Sequence, residues 1–227
     1  MLTPEEWGIV ALSLKVSAVS ILGVAPLAFA CAWALARGRF FGRVLLDALV
    51  HLPLVLPPVV TGWLLLLAFG AQGFAGRWLG ELGITLMFRW TGAALACAVM
   101  AFPLMVRSMR LSIEAVDRRL ESAARTLGAG PWRVFFSITL PLAMPGVLAG
   151  LVLGFARSLG EFGATITFVS NIPGETQTLP LAIYAALQMP GSEDAVTRLA
   201  LLSVALSLGA LVVSEALARR MGRGHVL

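Results

Sequence analysis

Long stretches of this chain carry no charged residue, and they limit what the chain can fold into. The 21 residues between Lys15 and Arg37 are uncharged, and so are the residues from Ala48 to Gly76. A helix needs about 20 apolar residues to cross the hydrocarbon core of a membrane. Only 13% of all residues are charged, against about 25% in soluble domains. The sequence therefore predicts an all-α integral membrane protein with a single domain over residues 1–227.

Five membrane-spanning helices are predicted from these runs. They cover roughly residues 8–36, 46–70, 91–110, the stretch from 144 onward, and 195–218. Between the last two we expect an extension of the fourth helix beyond 162, a turn at 171–174, and a short helix around 179–188 in the interior or at the outer interface. Thr3, Pro4 and Glu6 are typical of a helix start with a capping box.

The basic residues predict the orientation of the chain. With five spans, twelve of the 17 lysines and arginines fall on one side of the membrane. Because basic residues favour the cytoplasmic side, we expect the N-terminus outside and the C-terminus in the cytoplasm. A sixth span over 176–192 would place the basic tail outside and is disfavoured. The net charge of +5 thus reflects topology, and no nucleic-acid partner is expected.

Polar and helix-breaking residues at membrane depth are the candidates for a transport pathway or gate. Prolines kink a helix and are tolerated where a cavity or other protein groups satisfy the backbone. Arg157 and Glu161 are four residues apart, so they either neutralise each other or brace a gate. Lys15 either extends to the outer interface or places a positive charge near an anion path. The candidates are Lys15, His51, Pro53, Pro57, Pro58, Thr61, Arg157, Glu161, Thr165 and Asn171.

Catalytic chemistry is not predicted for this chain. It has no G-x-x-x-x-G-K-[ST] run that would hold the phosphates of a nucleotide. Its two histidines, His51 and His225, stand apart from other ligand-type residues, so neither a metal site nor acid–base catalysis is expected. A stand-alone carrier driven by an ion gradient is the alternative to an ATP-driven transporter, and it would depend on Glu161 as the coupling acid.

The stretch 121–141 is a polar segment in an otherwise apolar chain. Residues 111–128 show helical spacing of apolar residues, Gly128 is a natural helix stop, and Pro131 suits the first position of a second helix. We predict a helix, a tight turn and a helix on the cytoplasmic side, with small residues that can enter a groove of a partner. The alternative is an ordinary basic loop.

The spacing of this stretch resembles the signature of permease subunits of ABC importers. The matching pattern is A-A-x-x-x-G, nine residues, then I-x-L-P. The family's acidic residue before the alanines is Ser122 here, and Glu121 stands one position earlier. The resemblance implies that the following residues couple the chain to an ATPase: Glu121, Ser122, Ala123, Ala124, Arg125, Gly128, Ile138, Leu140 and Pro141.

Three further runs make the resemblance narrower. H-L-P-L-V-L-P-P-V-V-T-G, A-A-R-T-L-G-A-G and F-A-R-S-L-G-E-F-G-A-T-I-T-F-V-S-N-I-P-G-E-T are similar to bacterial molybdate permeases, and sulfate permeases share G-E-F-G. The resemblance implies the type I ABC importer permease fold in a bacterial inner membrane. It also implies a homodimer, two cytoplasmic ATPase subunits that hold ATP and Mg, and a periplasmic molybdate-binding protein. No cofactor is expected on this chain itself, and its other neighbours are membrane lipids.

Overall fold

The computed structural model describes residues 3–222, and the regular elements in that range are all helices. The predicted all-α class is confirmed. Among the described residues, four helices are long and apolar enough to cross a membrane, and a fifth span is present if α2 and α3 count as one bent span. The elements are α1 (Pro4–Arg37), α2 (Arg43–Val55), α3 (Pro58–Phe69), α4 (Phe74–Glu81), α5 (Trp90–Ala115), α6 (Arg118–Thr126), α7 (Pro131–Val134), a π-helical turn (Phe135–Thr139), α8 (Leu140–Leu159), α9 (Gly163–Val169), α10 (Leu179–Leu187) and α11 (Glu193–Gly222).

The start of α1 is fixed by the predicted capping box. The Thr3 backbone N–H donates to Glu6 Oε2 at 2.8 Å, and the Glu6 N–H donates to Thr3 Oγ1 at 3.2 Å. Both bonds satisfy donors that a helix start leaves free. Glu6 also meets Arg198 of α11, whose Nη2 lies 3.0 Å from Glu6 Oε1. This end of α1 is thereby attached to the last helix.

The second predicted span, 46–70, is two helices rather than one. α2 and α3 meet at Leu56 and Pro57 with a bend of 115°. Pro57 lacks a backbone donor, Pro58 occupies the first position of α3, and a residue that precedes a proline favours an extended conformation. The expected kink is therefore present, but it is sharp enough to end one helix and start another.

The core lies along α1, α5 and α8, which pack against one another. One buried cluster lies towards the end of the bundle where α1 and α5 finish, and it includes Leu35, Met105 and Ile113. A second cluster lies towards the opposite end and includes Val16 and Phe168. α2 joins the first cluster and α3 joins the second, so the two halves of the bent pair pack at different levels of the bundle.

The prediction of a single helix over 111–128 is wrong, because parts of two helices cover this range. α5 ends at Ala115 and α6 begins at Arg118. Asp117 caps α6 by accepting a hydrogen bond from the Arg119 N–H at 2.9 Å. An aspartate that caps a helix competes with continuation of the preceding one, since its side chain takes over a free backbone donor.

The fourth long helix starts earlier than residue 144. α7, the π-helical turn and α8 form one continuous helix from Pro131 to Leu159. Pro141 has no N–H to donate to the carbonyl four residues earlier. The preceding residue, Leu140, donates to Phe135 five residues earlier. A local π-helical turn of this kind lets the helix pass a proline without breaking.

After Leu159 the chain leaves the helix, so the predicted extension of the fourth helix is wrong. Gly160, Glu161 and Phe162 form a break, and α9 starts at Gly163. The predicted turn follows, with the Thr176 N–H donating to Ile172 O at 2.9 Å and Gly174 at φ 78°. The short helix expected around 179–188 is confirmed as α10. Of the basic tail, Arg223 lies outside the described residues.

Candidate functional site

The connection between α6 and α7 forms a tight corner, which we define as residues 117–131 and name the corner. The Gly128 N–H donates to Arg125 O at 3.0 Å, and the Ala129 N–H donates to Ala124 O at 3.0 Å. Gly128 has φ +84°, a conformation that glycine adopts without the steric cost of a side chain. Pro131 then occupies the first position of α7, as predicted.

The outer face of the corner is exposed and partly apolar. No residue of α6 is buried. Leu127 of the corner is 88% exposed, and Trp132, in the first turn of the helix that follows the corner, is 75% exposed. Ser122, Ala123 and Arg125 are exposed beside them. Large exposed apolar residues with small neighbours are typical of a surface that binds another protein.

Glu121 differs from its neighbours on α6, because its carboxylate is directed into the bundle. Glu121 Oε1 lies 2.8 Å from Arg37 Nη2 at the end of α1, and it accepts a hydrogen bond from Thr139 Oγ1 at 2.8 Å. The side chains of Arg37 and Glu121 are each only 14% exposed. The carboxylate therefore ties the corner to α1 and to the π-helical turn.

The remaining signature residues lie on the continuous helix that follows the corner in the chain. Ile138 belongs to the π-helical turn, and Leu140 and Pro141 begin α8. Next to them, Phe135 packs against Trp33 of α1 with ring centroids 5.1 Å apart. Aromatic packing and the Glu121 contacts hold this helix against α1.

The second candidate region is the break after α8. Arg157 Nη1 lies 2.7 Å from Glu161 Oε2, a charge contact without hydrogen-bond alignment. Glu161 Oε1 accepts a hydrogen bond from the Ala164 N–H at 2.8 Å. Glu161 is 2% exposed. One carboxylate thus neutralises the last charged residue of α8 and caps the start of α9.

Several predicted pathway residues meet where α3 packs on α9. A methyl group on Gly62 would lie 2.6 Å from Ala164 O, and one on Gly163 would lie 2.7 Å from Pro58 Cβ. These helices approach so closely because neither glycine has a side chain. Thr61 of α3 and Thr165 of α9 are both buried. The Thr61 hydroxyl has no hydrogen-bond partner among the described residues. The kinked pair and the break after α8 therefore form one packed unit.

Asn171 lies at the far end of α9, in the turn that follows it. Its Nδ2 donates to Leu181 O at 3.5 Å, while its buried Oδ1 has no hydrogen-bond partner among the described residues. The preceding Ser170 has φ 63°, which is uncommon for a residue with a side chain. Asn171 thus links α9 to α10.

The other predicted pathway residues lie elsewhere. Lys15 Nζ lies 3.8 Å from the ring centroid of Trp90, which is a cation–π contact at the start of α5. His51 Nδ1 lies 2.8 Å from Asp47 O within α2, and Pro53 lies in the same helix. Neither contact belongs to the α3–α9 unit. Among the side chains that the structure describes, no three metal-ligating groups come together.

Residues that the sequence reading did not single out hold these regions together. In the sequence, Arg37 marks only the end of the first uncharged run, and Thr139 is the unspecified residue of I-x-L-P. Asp47 and Arg110 form an ion pair of 3.0 Å between α2 and α5. An ion pair between two distant helices cannot be predicted from one sequence. An acidic residue among apolar residues, such as Asp47, does indicate a position where a charged partner is needed.

A bundle of apolar helices with an exposed corner between two of them is typical of a multi-pass membrane protein that binds another protein at that corner. The model of the family "binding-protein-dependent transport system inner membrane component" matches residues 25–223. The chain belongs to this family and is a permease subunit of ABC importer type. It is the membrane subunit of such a system, in which the ATPase is a separate chain.

Individual proteins that are similar to this chain are also transport system permeases. The chain is 59% identical over 220 residues to a molybdenum transport system permease protein of Escherichia coli (strain K12), which covers 96% of each chain. It is 41% identical over 197 residues to the sulfate transport system permease protein of the same organism, covering 86% of this chain and 71% of the relative. A crystal structure of a bacterial alginate ABC transporter in complex with an alginate-bound periplasmic protein matches in fold. Its TM-score is 0.76 at 18% identity, covering 96% of this chain and 80% of that chain.

Proposed function

We propose that this permease imports molybdate across the inner membrane of a bacterium, from the periplasm to the cytoplasm. The observation that carries the proposal is the 59% identity, over 96% of both chains, to a molybdenum transport system permease. The arginine distribution supports an N-terminus in the periplasm and a C-terminus in the cytoplasm. The corner then faces the cytoplasm.

The proposed complex is a homodimer of this chain with two ABC ATPase subunits, which hold ATP and Mg. A periplasmic molybdate-binding protein delivers the anion to the other face. The exposed Leu127 and Trp132 support the corner as the surface that docks on each ATPase. The small exposed residues Ser122 and Ala123 let the corner enter a groove.

Transport follows from two alternative packings of the dimer that differ little in free energy. ATP binding brings the ATPase subunits together and moves the corners with them. Since Glu121 and the aromatic contacts tie the corner to α1 and α8, the motion reaches the membrane helices. The α3–α9 unit, with its bend at Pro57 and its break at Glu161, is the part that opens and closes the pathway.

The test is reconstitution of the permease, its ATPase and its binding protein in liposomes. ATP hydrolysis and uptake are titrated with molybdate, tungstate and sulfate. We expect half-maximal stimulation at a much lower concentration of molybdate or tungstate than of sulfate. Stimulation by sulfate alone would overturn molybdate as the substrate and would favour a sulfate-type permease, the second candidate, which the 41% identity to a sulfate permease supports.

A separate experiment distinguishes an ATP-driven complex from a stand-alone carrier. The permease is purified from its native membrane and the associated proteins are identified. We expect an ABC ATPase subunit to co-purify. Uptake by the permease alone, driven by an ion gradient and without ATP, would contradict the proposal.

A further inference from the structure

A polar cleft lies between α2 and α5, on the same half of the bundle as the corner. Its volume is about 300 Å³, and we name it the inner cleft. Six residues line it: Asp47, His51, Arg107, Arg110, Leu111 and Glu114. Five of these six side chains are polar or charged, in a protein whose helices are otherwise mostly apolar.

The two carboxylates of the inner cleft are already paired. Arg110 Nη1 donates to Asp47 Oδ1 at 3.0 Å, and Arg110 Nε donates to Glu114 Oε1 at 2.9 Å. Arg43 Nη2 adds a second positive charge 3.9 Å from Glu114 Oε1. Two arginines therefore offset two carboxylates, which leaves the remaining charge of the cleft to Arg107.

Arg107 has no ion pair or side-chain hydrogen bond within the part of the chain that the structure describes, and it is exposed. It precedes Arg110 by three residues on α5, a spacing that puts both side chains on one face. His51 turns Nδ1 towards Asp47 O, which leaves Nε2 for another partner. The cleft thus offers a free guanidinium beside an imidazole.

Arg107 lies within α5, which is one of the candidate membrane spans. It precedes the end of the helix at Ala115 by eight residues, which is about 12 Å along the axis. A charged side chain that far inside a spanning helix faces a water-filled cavity or the protein interior. Arg107 lines the inner cleft and is exposed, which favours the cavity.

We propose that the inner cleft binds a tetrahedral oxyanion, with Arg107 as the main ligand, on the cytoplasmic half of the transport pathway. This inference rests on the proposed function. A planar guanidinium donates two parallel hydrogen bonds to an oxyanion. The neighbouring Asp47 and Glu114 limit the affinity, and a site on an exit path must bind weakly enough to release its ion.

The direct test is equilibrium dialysis of radiolabelled molybdate against the nucleotide-free permease–ATPase complex, without binding protein. We compare the wild type with Arg107→Gln, Arg107→Lys and the control Arg77→Gln, which removes an exposed arginine far from the cleft. We expect Arg107→Gln to weaken binding about tenfold or more, as for the loss of hydrogen bonds to a charged group. Arg107→Lys should weaken it less, and Arg77→Gln should match the wild type. Unchanged binding in Arg107→Gln would overturn the inference.

A second arm separates substrate from the phosphate of a lipid headgroup, which has the same chemistry. The dialysis is repeated in nanodiscs of phosphatidylcholine alone and in nanodiscs that contain phosphatidylglycerol. We expect molybdate binding in both. Binding of phosphatidylglycerol that depends on Arg107, with no molybdate binding in either disc, would assign the cleft to lipid and overturn the inference.

Uptake assays keep this inference distinct from the proposed function. If wild-type liposomes take up molybdate and Arg107→Gln slows uptake severalfold while ATPase subunits remain bound, both stand. If wild type transports molybdate and Arg107→Gln transports at the same rate, the inner cleft is wrong and the function stands. If wild type transports no molybdate, the proposed function fails.

Discussion

Two arginine–glutamate pairs occupy the two candidate regions of this permease, and they differ in what they join. Arg37 and Glu121 are 84 residues apart, and their contact connects the end of α1 to the corner. Arg157 and Glu161 are four residues apart, and their contact lies across one helix end. The first pair fixes the position of one element against another, whereas the second shapes a local break.

Their other hydrogen bonds show the same difference. Glu121 also accepts from Thr139 in the π-helical turn, so it gathers three elements at one carboxylate. Glu161 also accepts from the Ala164 N–H and thereby starts α9. A long-range pair can transmit motion from a docked partner, and a local pair can set where a helix bends. We therefore expect changes at the first pair to alter coupling and changes at the second to alter folding.

The largest effect is expected at the outer face of the corner, where a change leaves both pairs intact. Gly128→Trp places a large side chain at the tip of the corner and forces φ +84° on a residue with a side chain. We expect the ATPase subunit no longer to co-purify and molybdate uptake in liposomes to fall to background.

The matched control for the corner is Gly128→Asn, since asparagine tolerates this backbone conformation better than other residues. It should retain most uptake. Normal transport by Gly128→Trp would show that the corner is not the surface that couples to the ATPase.

The next effect concerns folding at the second pair. Glu161→Ala leaves Arg157 without its partner and removes the cap of α9, and loss of one member of a buried pair costs about 3 kcal/mol. We expect a lower unfolding temperature of the detergent-solubilised protein. Glu175→Ala, which removes an exposed glutamate from the following turn, should leave the temperature unchanged. Equal melting of both variants would contradict the role of Glu161 in the break.

Glu121→Ala tests the first pair. We expect the amount of molybdate transported per ATP hydrolysed to fall about tenfold, a size typical of coupling between two sites, while the ATPase stays bound. The exchange Arg37→Glu with Glu121→Arg restores opposite charges across the same contact and should recover part of the ratio. If Glu121→Ala and the exchange variant transport the same small amount of molybdate per ATP, the charge contact does not carry the coupling.

The features that could be predicted from the sequence have local signals. The spans follow from charge-free length, the start of α1 from Thr3, Pro4 and Glu6, and the bend from consecutive prolines. The tight turn of the corner follows from Gly128 and Pro131. Each of these depends on residues within a few positions of one another, so a single sequence contains the whole signal.

The features that were missed depend on distant contacts or on competition between local signals. Apolar residues continue at helical spacing through Val116, which hid the boundary that Asp117 imposes. The inward direction of Glu121 depends on Arg37, 84 residues away, and nothing near Glu121 indicates it. The break after Leu159 involves Glu161, whose carboxylate contacts Arg157 of α8 and also accepts from the Ala164 N–H at the start of α9.

The smallest expected effect refines the comparison within the first pair. Thr139→Val keeps the shape of a side chain that is 1% exposed but removes the hydroxyl that donates to Glu121. Loss of one hydrogen bond to a charged group costs about 1.5 kcal/mol, and Arg37 still holds the carboxylate. We expect a small drop in unfolding temperature and a smaller loss of coupling than for Glu121→Ala, while Thr139→Ser keeps the coupling ratio of the wild type. A loss in Thr139→Val as large as in Glu121→Ala would mean that the π-helical turn, rather than α1, receives the motion of the corner.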